Sequence, residues 1–252
     1  MVVVITGSAS GIGLGVAQAF LQEGHKVVFS DFNQKALDEV ATTTPSKNAI
    51  FIPCDVSSES ACQNLIQESH KAFGSVDVLI NNAGFQHVAL LEDFPTEVFN
   101  QMLQVELVGP FMLTKYAFPL MKAQKFGRIL NMASINGLVG FAGKAAYNSA
   151  KHGLLGLTKV CALEGALFNI TANAICPGYV DTPLVRNQLA DLAKTRQMSA
   201  QEALEKILYP IIPQKRLIAI EDIAKLALFL ASDAAKSITG QPFVIDGGYL
   251  AQ

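Results

Sequence analysis

Tyr147 and Lys151 stand four residues apart in a stretch of helical patterning that continues to about Phe168. Residues at that spacing share one helix face. A free tyrosine has a pKa near ~10 and is a poor base at neutral pH; lowering it by three units takes about 4 kcal/mol. One cation at about 4 Å, in a medium of effective dielectric near 20, supplies that much. Desolvation of the lysine subtracts from the gain. Thirteen residues before the tyrosine, after the apolar run that ends in Asn131-Met132-Ala133, comes Ser134. Its hydroxyl would hold a substrate oxygen while Tyr147 moves the proton. Tyr and Lys four apart are also an ordinary packing pair, so this pair carries weight only in company.

The company is a second constellation at the other end of the chain. The strand-like run Val2–Thr6 leads directly into Gly7-Ser8-Ala9-Ser10-Gly11-Ile12-Gly13, and a helical pattern follows. Glycines there allow positive φ and close approach of the backbone to a ligand. The free N–H groups and dipole of the next helix attract a pyrophosphate. The spacing is GxxxGxG rather than GxGxxG, so the general dinucleotide rule applies by analogy. Asp31 ends the second strand candidate at the distance expected of an acid that accepts hydrogen bonds from an adenosine ribose. A carboxylate there repels the 2′-phosphate of NADP, and neither the glycine turn nor Phe32 offers a cation to bind it. The cofactor expected is NAD, whose nicotinamide charge would also favour the Tyr147 phenolate. Asp55 after the third strand candidate, and Asn82, Ala83 and Gly84 after the fourth, fall where ligands sit in an open parallel sheet. Asp55 would meet the adenine amino group; the other three would line the ribose.

The elements that must position these groups alternate along the whole chain. Strand candidates lie at 2–6, 26–30, 49–52, 76–80, 128–131, 171–175 and 243–245. Several are apolar throughout, as suits strands buried on both faces of a parallel sheet. Helical patterns fall between them, including 12–23, 58–73 and 96–125. The expected fold is α/β: a Rossmann-type, doubly wound parallel sheet with helices on both faces, in one domain spanning 1–252. A helical stretch at 183–216 breaks the rhythm and is expected to form a small substrate lid.

Bulk properties exclude other classes. With 252 residues, half of them hydrophobic, and a net charge of −2, no basic surface points to nucleic acid. No apolar stretch is long enough to span a bilayer, and the opening run is too short for a signal segment, so the expectation is a cytoplasmic protein. Cys54, Cys62, Cys161 and Cys176 show no zinc spacing and read as buried free thiols, with no metal expected.

Taken together, TGxxxGIG at 6–13, NNAG at 81–84, Ser134, the YxxxK of Tyr147 and Lys151, and Pro177-Gly178 resemble the short-chain dehydrogenase/reductase family in order and spacing over essentially the whole chain. The resemblance implies a seven-stranded sheet and hydride transfer to or from nicotinamide. It makes Tyr147 the acid/base and Lys151 the group that binds the nicotinamide ribose and acidifies the phenol. Ser134 orients the substrate, and Thr182 contacts the carboxamide. It extends the nucleotide wall to Ile12, Val56, Pro177, Gly178 and Val180, and it implies a homotetramer, for which Ala150, Gly153, Gly156 and Ala162 would permit close helix approach. One position departs from the family: Glu106 stands where an asparagine is usual, whose backbone carbonyl holds a water bonded to the lysine. The carbonyl is retained, but the carboxylate would pair with Lys151 and weaken its effect on Tyr147.

Around the pocket the chain resembles the bacterial D-3-hydroxybutyrate dehydrogenases within that family. In those enzymes the substrate carboxylate is held by groups that map to Gln86, Lys144 and Gln188. Lys144 also has its own argument: a cation near a helix N-terminus is disfavoured by the macrodipole unless an anion offsets it. Asn136 replaces a common histidine, and Tyr179 and Tyr249 replace common tryptophans. The reaction implied is oxidation of (R)-3-hydroxybutyrate to acetoacetate with NAD⁺. Two other readings stay open: a relative acting on another secondary alcohol, polyol or 3-oxoacyl thioester, and a non-catalytic NAD-binding sensor or scaffold.

Overall fold

Seven strands form one parallel sheet: β1 (Val2–Thr6), β2 (Lys26–Asp31), β3 (Ala49–Pro53), β4 (Val78–Asn81), β5 (Gly127–Met132), β6 (Ile170–Pro177) and β7 (Pro242–Ile245), in the order β3-β2-β1-β4-β5-β6-β7. The computed structural model describes residues 1–196 and 198–251; the side chains of Leu184, Gln188, Asp191, Leu192, Lys194 and Thr195 lie outside the described set. Each expected strand is present, with ends shifted by up to two residues.

Why several strands are apolar throughout is visible in the packing. Along β1, Val3 and Ile5 face one cluster with Phe20 of α1 (Gly11–Gln22) and, from α2 (Gln34–Thr43), Leu37. Val4, between them, faces the opposite cluster with Leu65 of α3 (Glu59–Phe73). Both faces are covered, so period-two alternation places apolar residues on both sides. Helix α1 stops at Gly24, whose φ of +78° only glycine adopts without strain.

The helix expected at 96–125 is interrupted. It comprises α4 (Thr96–Leu103), a π-helical turn at Gln104–Val108, and α5 (Gly109–Gln124). Such a turn inserts an extra residue and often marks a functional position; Glu106 lies within it. Helix α6 (Ala145–Gly165) carries the tyrosine and lysine. The stretch after β6 holds α7 (Pro183–Thr195) and α8 (Ala200–Ala203), then a π-turn at Leu204–Leu208. Helix α9 (Ile220–Ala231) packs beside α1. Leu189, Ala193, Ala203, Leu208 and Ile212 make a small core of their own in the segment 183–216.

Strand order reverses between β1 and β4, which is where a crevice opens in such a sheet. Asn82 bridges it: its side-chain NH₂ donates to the carbonyls of Thr6 (2.9 Å) and Gly7 (3.0 Å). The N–H groups of Asn82 and Ala83 both donate to Thr6 Oγ1.

Candidate active site

The carboxyl ends of the strands open onto a cavity of about 650 Å³. At one end, α1 begins behind Ser10, which is extended and makes no side-chain cap. The first-turn N–H groups therefore lack both a helical partner and a cap, at the positive end of the dipole. Gly7 and Gly11 hold φ of +62° and +55°. A Cβ on Gly11 would meet only Thr182 Cγ2 within 4 Å, at 3.9 Å, so it would stand in the cavity rather than in the protein. Gly13 behaves otherwise. It does not line the cavity; a Cβ there would fall 2.2 Å from the Gly7 carbonyl oxygen and 2.4 Å from Asn82 Nδ2. Expected at the nucleotide, it seats α1 against the turn.

Asp31 accepts from Ala9 N–H at Oδ2 (3.1 Å) and from Asn33 N–H at Oδ1 (3.0 Å). These bonds orient the carboxylate and leave each oxygen a lone pair for a ribose hydroxyl. Its neighbours on the wall, Ala9, Ser10, Phe32, Asn33 and Ala36, carry no cation. Asp55, Val56, Asn82, Ala83, Gly84, Pro177, Gly178, Val180 and Thr182 also line the cavity, as does Ile12. An uncapped helix start, a turn that Gly11 keeps clear and an oriented carboxylate fit a dinucleotide.

At the other end, Ser134 leaves β5 in an extended conformation and starts a short 3₁₀ turn. Its Oγ accepts the Asn136 N–H at 3.1 Å, so its own proton is available to a neighbour. The Lys151 ammonium sits 5.3 Å from the Tyr147 ring centroid, so the two face one another as the spacing requires. Lys151 is 4 % exposed, and its Nζ donates to the Met132 carbonyl at 2.9 Å. It also lies 3.1 Å from Glu106 Oε2. Glu106 is fully buried, and its other oxygen accepts the Phe85 N–H at 3.1 Å. Space for the carboxylate depends on Gly84, where a Cβ would lie 3.2 Å from Glu106 Cδ.

Burial and this pair together reverse the effect expected of Lys151 alone. Burial pushes the Tyr147 phenol above the ordinary tyrosine range; Lys151 and a hydrogen bond with Ser134 pull it down, while Glu106 pushes it further up. Burial works against the Lys151 ammonium, but the Glu106 carboxylate and Tyr147 outweigh it and hold the pKa above the usual lysine value. Burial raises Glu106 as well, against the pull of Lys151. The lowered tyrosine pKa expected from one neighbouring cation does not hold in the protein alone, because burial of the phenol outweighs that cation, which also has a carboxylate in contact.

Lys144 is the residue just before α6 and lines the same cavity. Burial lowers its pKa, its Nζ lies 5.3 Å from the Phe141 ring centroid, and no carboxylate among the described residues pairs with it. Asn136 is buried on this wall, and its side-chain NH₂ has no hydrogen-bond partner among the described residues. Gln86 and Tyr179 also line the cavity. Tyr179 meets Tyr249 edge-on, and Tyr249 stacks on Phe141. The Gln188 side chain lies outside the described residues. Sequence reasoning missed Phe141, the Phe85 N–H and the Met132 carbonyl. Main-chain groups leave no trace in residue type; Phe141, three residues before Lys144, was open to notice.

Comparison with known proteins gives a family match and close relatives. The family model described as enoyl-(acyl carrier protein) reductase matches residues 7–250. An uncharacterized oxidoreductase, YxjF, of Bacillus subtilis (strain 168) is 53 % identical, covering 100 % of this chain and 98 % of its own. A D-beta-hydroxybutyrate dehydrogenase of Rhizobium meliloti (strain 1021) is 42 % identical over 99 % of this chain and 98 % of its own. Among solved structures, an actinorhodin polyketide ketoreductase with NADPH superposes with a TM-score of 0.93 at 30 % identity, covering 98 % of this chain and 96 % of that one.

Proposed function

This chain belongs to the short-chain dehydrogenase/reductase family, and on that premise we propose that it interconverts (R)-3-hydroxybutyrate and acetoacetate with NAD as the hydride carrier. The observation that supports it most is that Tyr147 and Ser134 line the same cavity as Lys144, with which no carboxylate among the described residues pairs, and Asn136, whose side-chain NH₂ has no hydrogen-bond partner among them. A hydroxyl at the proton-transfer pair and a carboxylate at the donors describe a short hydroxy acid.

In oxidation Ser134 holds the substrate hydroxyl and Tyr147 takes its proton. Lys151 donates to the Met132 carbonyl and has Glu106 Oε2 at 3.1 Å as its ion-pair partner, which leaves it an N–H for the cavity. A bound oxidised nicotinamide supplies the hydride acceptor and a further positive charge that favours the phenolate. Lys144, Asn136, Gln86 and Tyr179 hold the acid, with Gln188 assigned to the same task. NAD rather than NADP follows from Asp31 and the cation-free wall around it. The proposal takes 1–252 as one nucleotide-binding and catalytic domain with 183–216 as the lid that excludes water. It includes a homotetramer in the cytoplasm. Leu163 and Leu167, 80 % and 95 % exposed at the end of α6 and just beyond it, support burial between copies. No described helix is long and apolar enough to cross a membrane.

Initial rates with both enantiomers of 3-hydroxybutyrate, with NAD⁺ and NADP⁺ in parallel, test this reading. Turnover of the (R) acid with NAD⁺ is expected. Preference for NADP⁺ or for an acyl thioester would move the chain to another branch of the family. Tight NAD binding without turnover of any hydroxy acid or alcohol would make it a sensor.

A further inference from the structure

Glu106 is held in place from several sides. A π-helical turn presents it, Gly84 leaves room for it, and the Phe85 N–H fixes one oxygen at 3.1 Å while Lys151 Nζ stands 3.1 Å from the other. A buried carboxylate and a buried ammonium in contact carry no net charge, whichever atom holds the proton. From the position of Tyr147, the cation expected to stabilise a phenolate is cancelled by its neighbour.

We propose that Glu106 is a positioning residue that neutralises Lys151 beneath Tyr147 and so tunes the site toward proton donation, favouring carbonyl reduction at neutral pH and confining alcohol oxidation to alkaline solution. Because Glu106 also holds the Phe85 N–H, it ties the Asn82–Gly84 segment of the nucleotide wall to the catalytic ammonium. The remaining ionisable groups of this wall do not compensate. Cys176 on β6 has its thiol pushed up to about 11 by burial and stays neutral. Lys144 stands at the head of α6 and has the Phe141 ring as its neighbour. The directions found for Tyr147 and Lys151 agree with this arrangement.

The inference rests on the dehydrogenase reading for its consequence, but its cause can be measured without turnover. The phenolate signal of Tyr147 is obtained by ultraviolet absorbance titration of the protein minus that of Tyr147→Phe. Glu106→Gln removes the charge and keeps an oxygen for the Phe85 N–H. It is expected to lower the Tyr147 midpoint by about one unit, which is about tenfold more phenolate at a given pH. In pH–rate profiles both limbs should move together: oxidation should rise, and reduction should fade, at lower pH than in the parent. A merely structural role would depress both rates without moving either limb. Glu106→Asn, the side chain usual in the family, is a second neutral variant and should shift the same way. If neither variant lowers the phenol midpoint, the proposal is overturned while the function above can stand. If the midpoint falls but no alcohol is oxidised and no ketone is reduced, the electrostatic role holds and the dehydrogenase reading is what fails.

Discussion

The two halves of the cavity are made of different material. The nucleotide half is largely main chain: uncapped N–H groups at the start of α1, the turn at Gly7 and Gly11, and an Asp31 carboxylate oriented by two backbone donors. The catalytic half is made of side chains: Tyr147, Lys151 and Glu106, whose charges interact, and the buried Lys144 ammonium. A main-chain site is specified by residues that stay out of the way, so substitutions there act through sterics and folding. In a side-chain site they act through charge and proton position and should leave the fold nearly untouched.

The largest expected effect tests the second half. Tyr147→Phe removes one hydroxyl from a wall whose packing the ring maintains, so NAD binding and thermal stability should persist. Turnover should fall by about 10²–10⁴-fold, the usual worth of a positioned acid/base. Loss of NAD binding along with activity, read by fluorescence titration of NADH, would mean that the two halves are not separable.

Lys144→Met should come next. An ammonium lost from a charged hydrogen bond costs about 1.5–3 kcal/mol, so KM for the hydroxy acid should rise by about 10–100-fold, with a smaller change in kcat. An equal rise with an uncharged secondary alcohol would show that Lys144 does not read a carboxylate.

Gly13→Ala tests the first half. A Cβ forced against the Gly7 carbonyl and Asn82 Nδ2 amounts to overpacking, which costs about 1–3 kcal/mol. The expected result is a lower Tm together with weaker NAD binding, because the turn and α1 move apart. Unchanged Tm with weaker binding would restore Gly13 to direct contact with the nucleotide.

The same division explains what was legible in the sequence. Strands such as β1 and β4 could be read because burial on both faces leaves apolar runs, and the main-chain half because glycines mark it. Ser134, Tyr147 and Lys151 could be placed by order and spacing, and Glu106 stood out as a departure. What could not be read was the balance of charge. Spacing shows that Lys151 faces Tyr147, but only coordinates show that burial and Glu106 together outweigh it. Nor does any pattern at 96–125 announce the π-turn, since apolar spacing is nearly the same on either side of one extra residue.

The smallest expected effect concerns the proposed lid, a segment with its own small core. Ser199 and Glu202 form a reciprocal cap at the start of α8: Ser199 Oγ accepts the Glu202 N–H at 3.1 Å, and Glu202 Oε2 accepts the Ser199 N–H at 2.9 Å. The Ser199 backbone N–H, followed by Lys206 and the Ser199 hydroxyl, holds the Glu202 carboxyl down to about 2. Because the folded value lies below the unfolded one, the cap contributes fully above the ordinary glutamate range and is lost as pH falls from about 4.5 toward about 2. Ser199→Ala removes the acceptor of the Glu202 N–H and the hydroxyl that donates to Glu202 Oε2 at 3.0 Å, leaving the Ser199 N–H bond, and should weaken the cap by about 1 kcal/mol. The Glu202 midpoint, followed by carboxyl NMR, should rise toward the ordinary range. Proteolysis within 198–208 should quicken at neutral pH, while the thermal transition of the sheet stays where it is. A fall in that main transition would show that the lid core and the sheet unfold together, and that the substrate half is less independent of the main chain than its packing implies.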